Sequence, residues 1–324
     1  MRIALPPRIA PYAFARRNPS LPIVTLHGET MGTLWRVLFA CPRTTDPHTI
    51  ERAIITRLTG LVGEMSHWDR TSLLSEFNQA PAGRWLSLPP DFARVVATAL
   101  TIAEASDGAY DPTIGRLVDL WGYGPPGPMP TPDAQHVATL HAAAGWQKLQ
   151  FEPGTRRLRQ PGGLALDLAG IAKGDAVDAV ADLLATQGIH DCLVEIGGEL
   201  TGRGIRPDGD PWWVDPETPP GTTIAPLRLA LHELAVATSG NAIRGDHTLD
   251  PRTGHPVKNG VISTTVIHAR AGNADAWATA LTVIGGKAGL ALATKHDLAT
   301  RIIEQHAGIV TEHLSPALIA MLED

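Results

Sequence analysis

Three groups of polar residues have types and spacings that chemistry could use. The first is Asp167-Leu168-Ala169-Gly170-Ile171-Ala172-Lys173-Gly174-Asp175. Leu164 to Leu168 reads as a short buried strand after Pro161-Gly162-Gly163. Beyond it, Val177, Val180, Ala181 and Leu184 recur at helical spacing until Gly188 offers a stop. A carboxylate therefore stands at a strand end, a glycine turn follows, and a lysine lies in the first helical turn. A cation there opposes the positive N-terminal end of the helix dipole. Two arrangements resolve the conflict. An anion can dock between Lys173 and the free backbone N–H groups, as phosphates do at helix starts. Alternatively, Lys173 reaches to water while Asp167 caps the helix.

The second group lies on the helix expected from Ala274 to Ile284, where Asp275, Thr279 and Thr282 make a polar stripe and Trp277, Leu281 and Ile284 an apolar one. A carboxylate and a hydroxyl one turn apart are two hard oxygen ligands, which suits Mg²⁺ completed by substrate phosphates and water. The same pair also fits a dipole-favoured acid in a first turn, with Thr279 bonding the carbonyl of residue 275. The third group is His247-Thr248-Leu249-Asp250-Pro251-Arg252-Thr253-Gly254-His255-Pro256, a turn by composition. His247 is placed there for proton transfer beside Asp250 and Thr253, or is simply a solvated loop histidine. Ser239 before Gly240 has no triad partner nearby, and His136 and His141 read as surface histidines. There is no P-loop, no dinucleotide glycine fingerprint, no His-Glu-x-x-His and no Gly-x-Ser-x-Gly.

The elements that must position these groups alternate without a regular βαβ period, which favours an α+β class. Strands are expected at Ile23–Leu26, Thr33–Ala40, Cys192–Ile196 and Val261–His268, and Leu227–Leu231 with Leu234–Thr238 reads as a strand pair. A hairpin is expected from Leu149-Gln150-Phe151 and Arg157-Leu158-Arg159. Helices are expected over Pro47–Leu61, Asp91–Ser106 and Lys287–Thr294, with a strand near Thr300–Ile303 and then a tail. Residues 1–22 read as a flexible arm, because Pro6, Pro7, Pro11 and Pro19 interrupt every apolar run, and residues 23–324 as one catalytic domain. The chain of 324 residues carries 33 acidic and 27 basic side chains, a balance that argues against a nucleic-acid surface. Cys41 and Cys192 read as buried thiols, and no run approaches the roughly 20 apolar residues of a membrane span. With no secretory signal or lipidation cysteine in view, a cytoplasmic location is expected.

Taken in order, these segments resemble the FAD:protein FMN transferases, the ApbE-type flavin transferases. The likeness is carried by Thr30-Met31-Gly32-Thr33, Met65-Ser66 to Phe77-Asn78, Asp111-Pro112-Thr113-Ile114-Gly115 with Leu120-Trp121-Gly122-Tyr123-Gly124, Asp167 to Gly174, Val194 to Gly198, Thr238-Ser239-Gly240, His247 to Pro256, and Ala274-Asp275-Ala276 with Thr279. Each piece is weak, and the ordered set is specific. The resemblance implies one α+β unit of two packed lobes with FAD between them. FMN would pass from FAD, with Mg²⁺ on its pyrophosphate, to a Thr or Ser hydroxyl of an acceptor protein, and AMP would be released. Matched residue by residue, it implies that Met31, Trp68, Ala109, Tyr110, Asp111, Asp167, Lys173 and Leu249 contact FAD. It places the metal on the Gly170 carbonyl and the side chains of Asp275 and Thr279. Lys173 would compensate charge and His247 would take the hydroxyl proton. The chain departs from the pattern at Ala242, where family members commonly carry an aromatic residue. An FAD pyrophosphatase giving FMN and AMP, or a flavin-binding protein without turnover, would use the same binding residues.

Overall fold

In Cys192–Ile196 and Leu234–Thr238 apolar side chains occur in both registers of the period-2 pattern, interrupted only by Glu195 and Thr238, which favours a sheet covered on both faces. The computed structural model, which describes residues 1–240 and 247–322, has such a sheet. Its eight strands are β1 (Ile23–Thr30), β2 (Thr33–Ala40), β3 (Cys192–Ile196), β4 (Glu199–Arg203), β5 (Leu234–Ser239), β6 (Val261–His268), β7 (Ala299–His306) and β8 (Ile309–Leu314). Their order across the sheet is their order along the chain, and each is antiparallel to the next. Cys192, Val194, Ile196, Ala235 and Ala237 face the main core, while Leu193, Val236 and Ile267 face a second one.

Five helices cover the first face: α1 (Pro47–Met65), α2 (Pro90–Ala105), α3 (Ala169–Thr186), α4 (Ala271–Ile284) and α5 (Gly286–Lys295). The start of α1 follows from its sequence, since Asp46 accepts from the N–H groups of His48 and Thr49 and Pro47 stands at the first helical position. The second face is covered by a three-stranded sheet, in the order Arg2–Ala4, Leu227–Leu231, Trp212–Val214. Residues 41–191, inserted between β2 and β3, carry α1 to α3, three short helices and a small sheet that contains the expected hairpin. The α+β class expected from the sequence is the class observed.

Four local expectations are corrected. The N-terminal segment is docked, with Arg2–Ala4 running parallel to Leu227–Leu229, Ala4 buried and Arg2 paired with Glu312. Its prolines leave a three-residue strand intact, and Pro11 begins a short helix, Pro11–Arg16. Leu227–Leu231 and Leu234–Ser239 are strands of different sheets. Between them the chain crosses layers at buried His232 and at Glu233, whose φ is 55°. Leu164–Leu168 makes only an isolated bridge, at Ala165 with Ile114, because the side chains of Asn78 and Gln160 take the Leu164 carbonyl and both backbone groups of Leu166. The C-terminal tail instead supplies β8 and the helix Pro316–Ile319.

The junction that matters for the site is where α3 crosses α4. Gly174 is there because a Cβ would stand 2.3 Å from the Ala271 carbonyl oxygen and 2.8 Å from the Gly272 nitrogen, so backbone meets backbone. Gly174→Ala gains about 1 kcal/mol in helix propensity, but overpacking at rigid backbone costs about 1–3 kcal/mol or more. The clash wins, and urea unfolding should show a loss of roughly 2 kcal/mol. A variant as stable as the wild type would contradict the close approach.

Candidate active site

The Leu164–Leu168 segment delivers Asp167 to the start of α3, and its apolar side chains are buried. An extended buried backbone needs partners for its polar groups. Gln160 Nε2 donates to the Leu164 carbonyl at 3.1 Å, and Asn78 Nδ2 to the Leu166 carbonyl at 2.9 Å. The Leu166 N–H donates to Asn78 Oδ1 at 2.7 Å, and the Asp167 N–H to the Pro112 carbonyl at 2.8 Å. Asp167 then does part of what a cap does, since Oδ1 accepts from the Ala169 N–H at 2.8 Å and lies 3.4 Å from His67 Nδ1.

The first turn of α3 is kinked. Gly170 has φ −86° and ψ 15°, outside helical geometry. The Gly174 N–H, which a regular helix aims at the Gly170 carbonyl, donates to Asp275 Oδ2 at 3.1 Å. Lys173 neither stands bare beside the helix start nor simply reaches to water. It pairs with Glu199, which follows the Gly197-Gly198 turn between β3 and β4. Thr279, one turn beyond Asp275 on α4, stands with its Oγ1 3.3 Å from Ser239 Oγ. It is Thr282, not Thr279, that bonds back along the helix, to the Ala278 carbonyl. α4 begins at Ala271, so Asp275 lies past its first turn and is not a helix-start acid.

These residues line one cleft of about 960 Å³, between the strand ends of the sheet and the inserted segment. Of the expected site residues it brings together Asp167, Gly170, Lys173, His247, Leu249, Asp275 and Thr279. His247 comes from the turn that leads into the short hairpin Leu249–Asp250/His255–Pro256, which His141 braces through the Pro251 carbonyl at 2.9 Å. His141 is thus a support rather than a bare surface histidine. Asp250 is occupied by Arg252, at 2.9 Å.

Other expected contacts do not line the cleft. Met31 sits at the β1–β2 turn with φ 50°, and Trp68 is 61% exposed. Ala109 is fully buried, and Asp111 accepts from the Thr113 N–H and hydroxyl in its own loop and from the N–H of the sequence-distant Trp146. Tyr110 lies beneath the cleft floor. Its ring is 3.4 Å from where a Gly170 side chain would begin, and its buried hydroxyl has no hydrogen-bond partner. Ala242 falls outside the described residues.

Burial dominates the electrostatics. It pushes the Asp275 carboxyl up, against the pull of Lys173 and of the Gly174 N–H. Burial, then repulsion from Asp275, pushes Glu199 up as well, against Lys173. The Tyr110 phenol is raised by burial and then by Asp275, Asp167 and Asp111. Glu199 is the site residue that the sequence reading passed over, and its signal was a carboxylate directly after a Gly-Gly strand end. Among the described residues no group of three or more His, Cys, Asp or Glu is placed to hold a metal. A cation here would draw on hydroxyl and backbone oxygens as well.

The fold and cleft define a class of α+β protein in which a kinked helix start and a second helix meet at the ends of an antiparallel meander. The chain belongs to the ApbE family, matched over residues 31–302. It is 34% identical over 291 residues to the FAD:protein FMN transferase of Vibrio cholerae, covering 86% of this chain and 87% of that one. To the Haemophilus influenzae protein of the same name it is 32% identical over 313 residues, covering 90% of each. Among solved structures, the apo flavinyl transferase ApbE of Pseudomonas stutzeri superposes with a TM-score of 0.87 at 32% identity. The match covers 93% of this chain and 97% of that chain.

Removal of the Asn78 side chain tests how the site is mounted. Asn78→Ala leaves the Leu166 N–H and carbonyl unanswered in a buried setting, which should cost roughly 2–4 kcal/mol by urea unfolding. A loss below about 0.5 kcal/mol, the level of an ordinary surface change, would show that the segment is held otherwise.

Proposed function

We propose that the protein transfers FMN from FAD to a Thr or Ser hydroxyl of an acceptor protein, with Mg²⁺ as cofactor and AMP as the second product. The observation that carries the reading is the convergence of Lys173, Asp275, Thr279 and the Gly170 kink in one cleft of a chain whose relatives are named FAD:protein FMN transferase. The catalytic unit is residues 23–324. None of the described helices is long and apolar enough to cross a membrane.

The residues present fit a magnesium ion. Asp275 is buried and receives a single backbone hydrogen bond, so its charge is under-compensated. A Cβ on Gly170 would stand 2.9 Å from Thr279 Oγ1, so only a glycine lets that backbone lie against the hydroxyl. Asp275, Thr279 Oγ1 and the Gly170 carbonyl are hard oxygen donors, the kind Mg²⁺ takes. Bound there, the ion would neutralise charge on the FAD pyrophosphate.

The chain's own residues do the rest. Lys173 offers the pyrophosphate a charge-assisted contact. The acceptor oxygen attacks the phosphorus of the FMN half, and the bond from that phosphorus to the bridging oxygen breaks, so AMP leaves. The hydroxyl proton passes to His247. The reaction is mostly positioning and charge compensation, which the rigid floor of the cleft provides.

Two variants test the assignment, with protein-bound flavin fluorescence on denaturing gels as the readout. Asp275→Ala should keep the fold and lose roughly 10²-fold or more in transfer at limiting Mg²⁺, and normal turnover there would remove Asp275 from the metal set. His247→Ala should slow transfer roughly 10²–10⁴-fold while calorimetry shows FAD affinity nearly unchanged, because a base acting in the transition state adds little to ground-state binding. Transfer at the wild-type rate would pass the base role elsewhere. Release of free FMN without labelled protein would favour a pyrophosphatase, and unchanged FAD a binding protein.

A further inference from the structure

We propose that Glu199 keeps the cleft closed to a pyrophosphate until a divalent cation has entered, so that FAD binds second. The inference rests on the functional reading above and extends it to the order of binding. Its starting point is an anomaly of charge. Six described side chains that line the cleft are acidic, and two, Arg36 and Lys173, are basic. That balance is the reverse of what a site for a doubly charged pyrophosphate needs. Arg36 is engaged at 2.7 Å by Glu195 on the neighbouring strand. Lys173, the cation on the floor, is engaged by Glu199.

Glu199 is not a surface acid that happens to be near. It is 3% exposed, and its Oε2 is buried with no hydrogen-bond partner. Leaving a buried carboxylate oxygen unanswered is unfavourable, and an isosteric amide would avoid the charge. Lys173 accounts for one oxygen and leaves the other buried without a partner. Asp275, also 3% exposed, lines the same cleft. With Lys173 neutralised by Glu199, Asp275 is left to set the sign of charge at the floor that an entering group meets. An anion meets like charge in a medium of low dielectric, where repulsion is strong. A divalent cation meets the opposite. Once it is held, the sign of the floor reverses and the pyrophosphate has a partner.

Glu199 therefore acts through Lys173 and through charge, as a positioning residue that couples FAD affinity to the metal. This can be read from binding alone. FAD is titrated calorimetrically into wild type and Glu199→Gln, in EDTA and in Mg²⁺, with circular dichroism to confirm the fold. Wild type in EDTA should bind FAD roughly 100-fold more weakly than in Mg²⁺, and Glu199→Gln in EDTA should bind at least about tenfold more tightly than wild type in EDTA. A merely structural Glu199 would weaken FAD binding in both buffers when replaced, and that result overturns the proposal, as does an unchanged affinity in EDTA. The wild type gives an independent arm should the variant misfold. Mn²⁺ titrated into FAD-free protein and followed by electron paramagnetic resonance must show binding, and its absence overturns the order. Wild type that binds FAD in neither buffer removes the functional reading and this inference together. FAD binding in Mg²⁺ with an indifferent Glu199→Gln removes only this one.

Discussion

The candidate site depends on one backbone contact. Helices α3 and α4 cross so closely at Gly174 and Ala271 that no side chain fits between them. The Gly174 N–H is consequently within reach of Asp275, and that hydrogen bond fixes the carboxylate of α4 against the kinked start of α3. Lys173 precedes the contact by one residue and Gly170 by one turn. Cation, carbonyl, carboxylate and hydroxyl thus share one spot because two helix backbones touch, and both helices are held in turn by a sheet covered on each face. The antiparallel meander adds the remaining pieces from its strand ends, Glu199 after β3 and Ser239 at the end of β5.

That construction stores unfavourable electrostatics in the unliganded protein. Asp275 and Glu199 are buried carboxylates lining one cleft, and Lys173 is paired with Glu199. Burial of charge is tolerated where pairing is good and where the group has work to do. A buried tyrosine hydroxyl without a partner lies under the same floor. Such features are unusual in a core optimised for stability and ordinary at a site completed by ligands.

Much of this was legible in the chain, for local reasons. The strand–Gly–Lys pattern at 167–174 and the Asp275/Thr279 stripe are read within one or two turns, and the ordered motifs connected them. What was not legible is long-range. Residues 164–168 look like a strand, but the backbone groups of Leu164 and Leu166 bond to the side chains of Asn78 and Gln160, which periodicity does not register. Arg2–Ala4 pairs with residues more than 200 positions away. The partner of Lys173 lies 26 residues on, beyond β3, so the lysine reads from its local sequence as free or anion-bound when it is ion-paired. Trp68 and Ala109 to Asp111 stand outside the cleft lining here, and their expected contacts rest on the resemblance alone.

The central claim is that the α3–α4 junction builds a cation site from Gly170, Asp275 and Thr279. A crystal of the protein soaked with Mn²⁺ and FAD tests it most directly, through the anomalous signal of the metal. The account predicts a peak at roughly 2.0–2.3 Å from the Gly170 carbonyl oxygen, an Asp275 carboxylate oxygen and Thr279 Oγ1, with pyrophosphate oxygens completing the shell. A well-occupied peak elsewhere in the cleft, or ordered FAD with no metal at the junction, would contradict it.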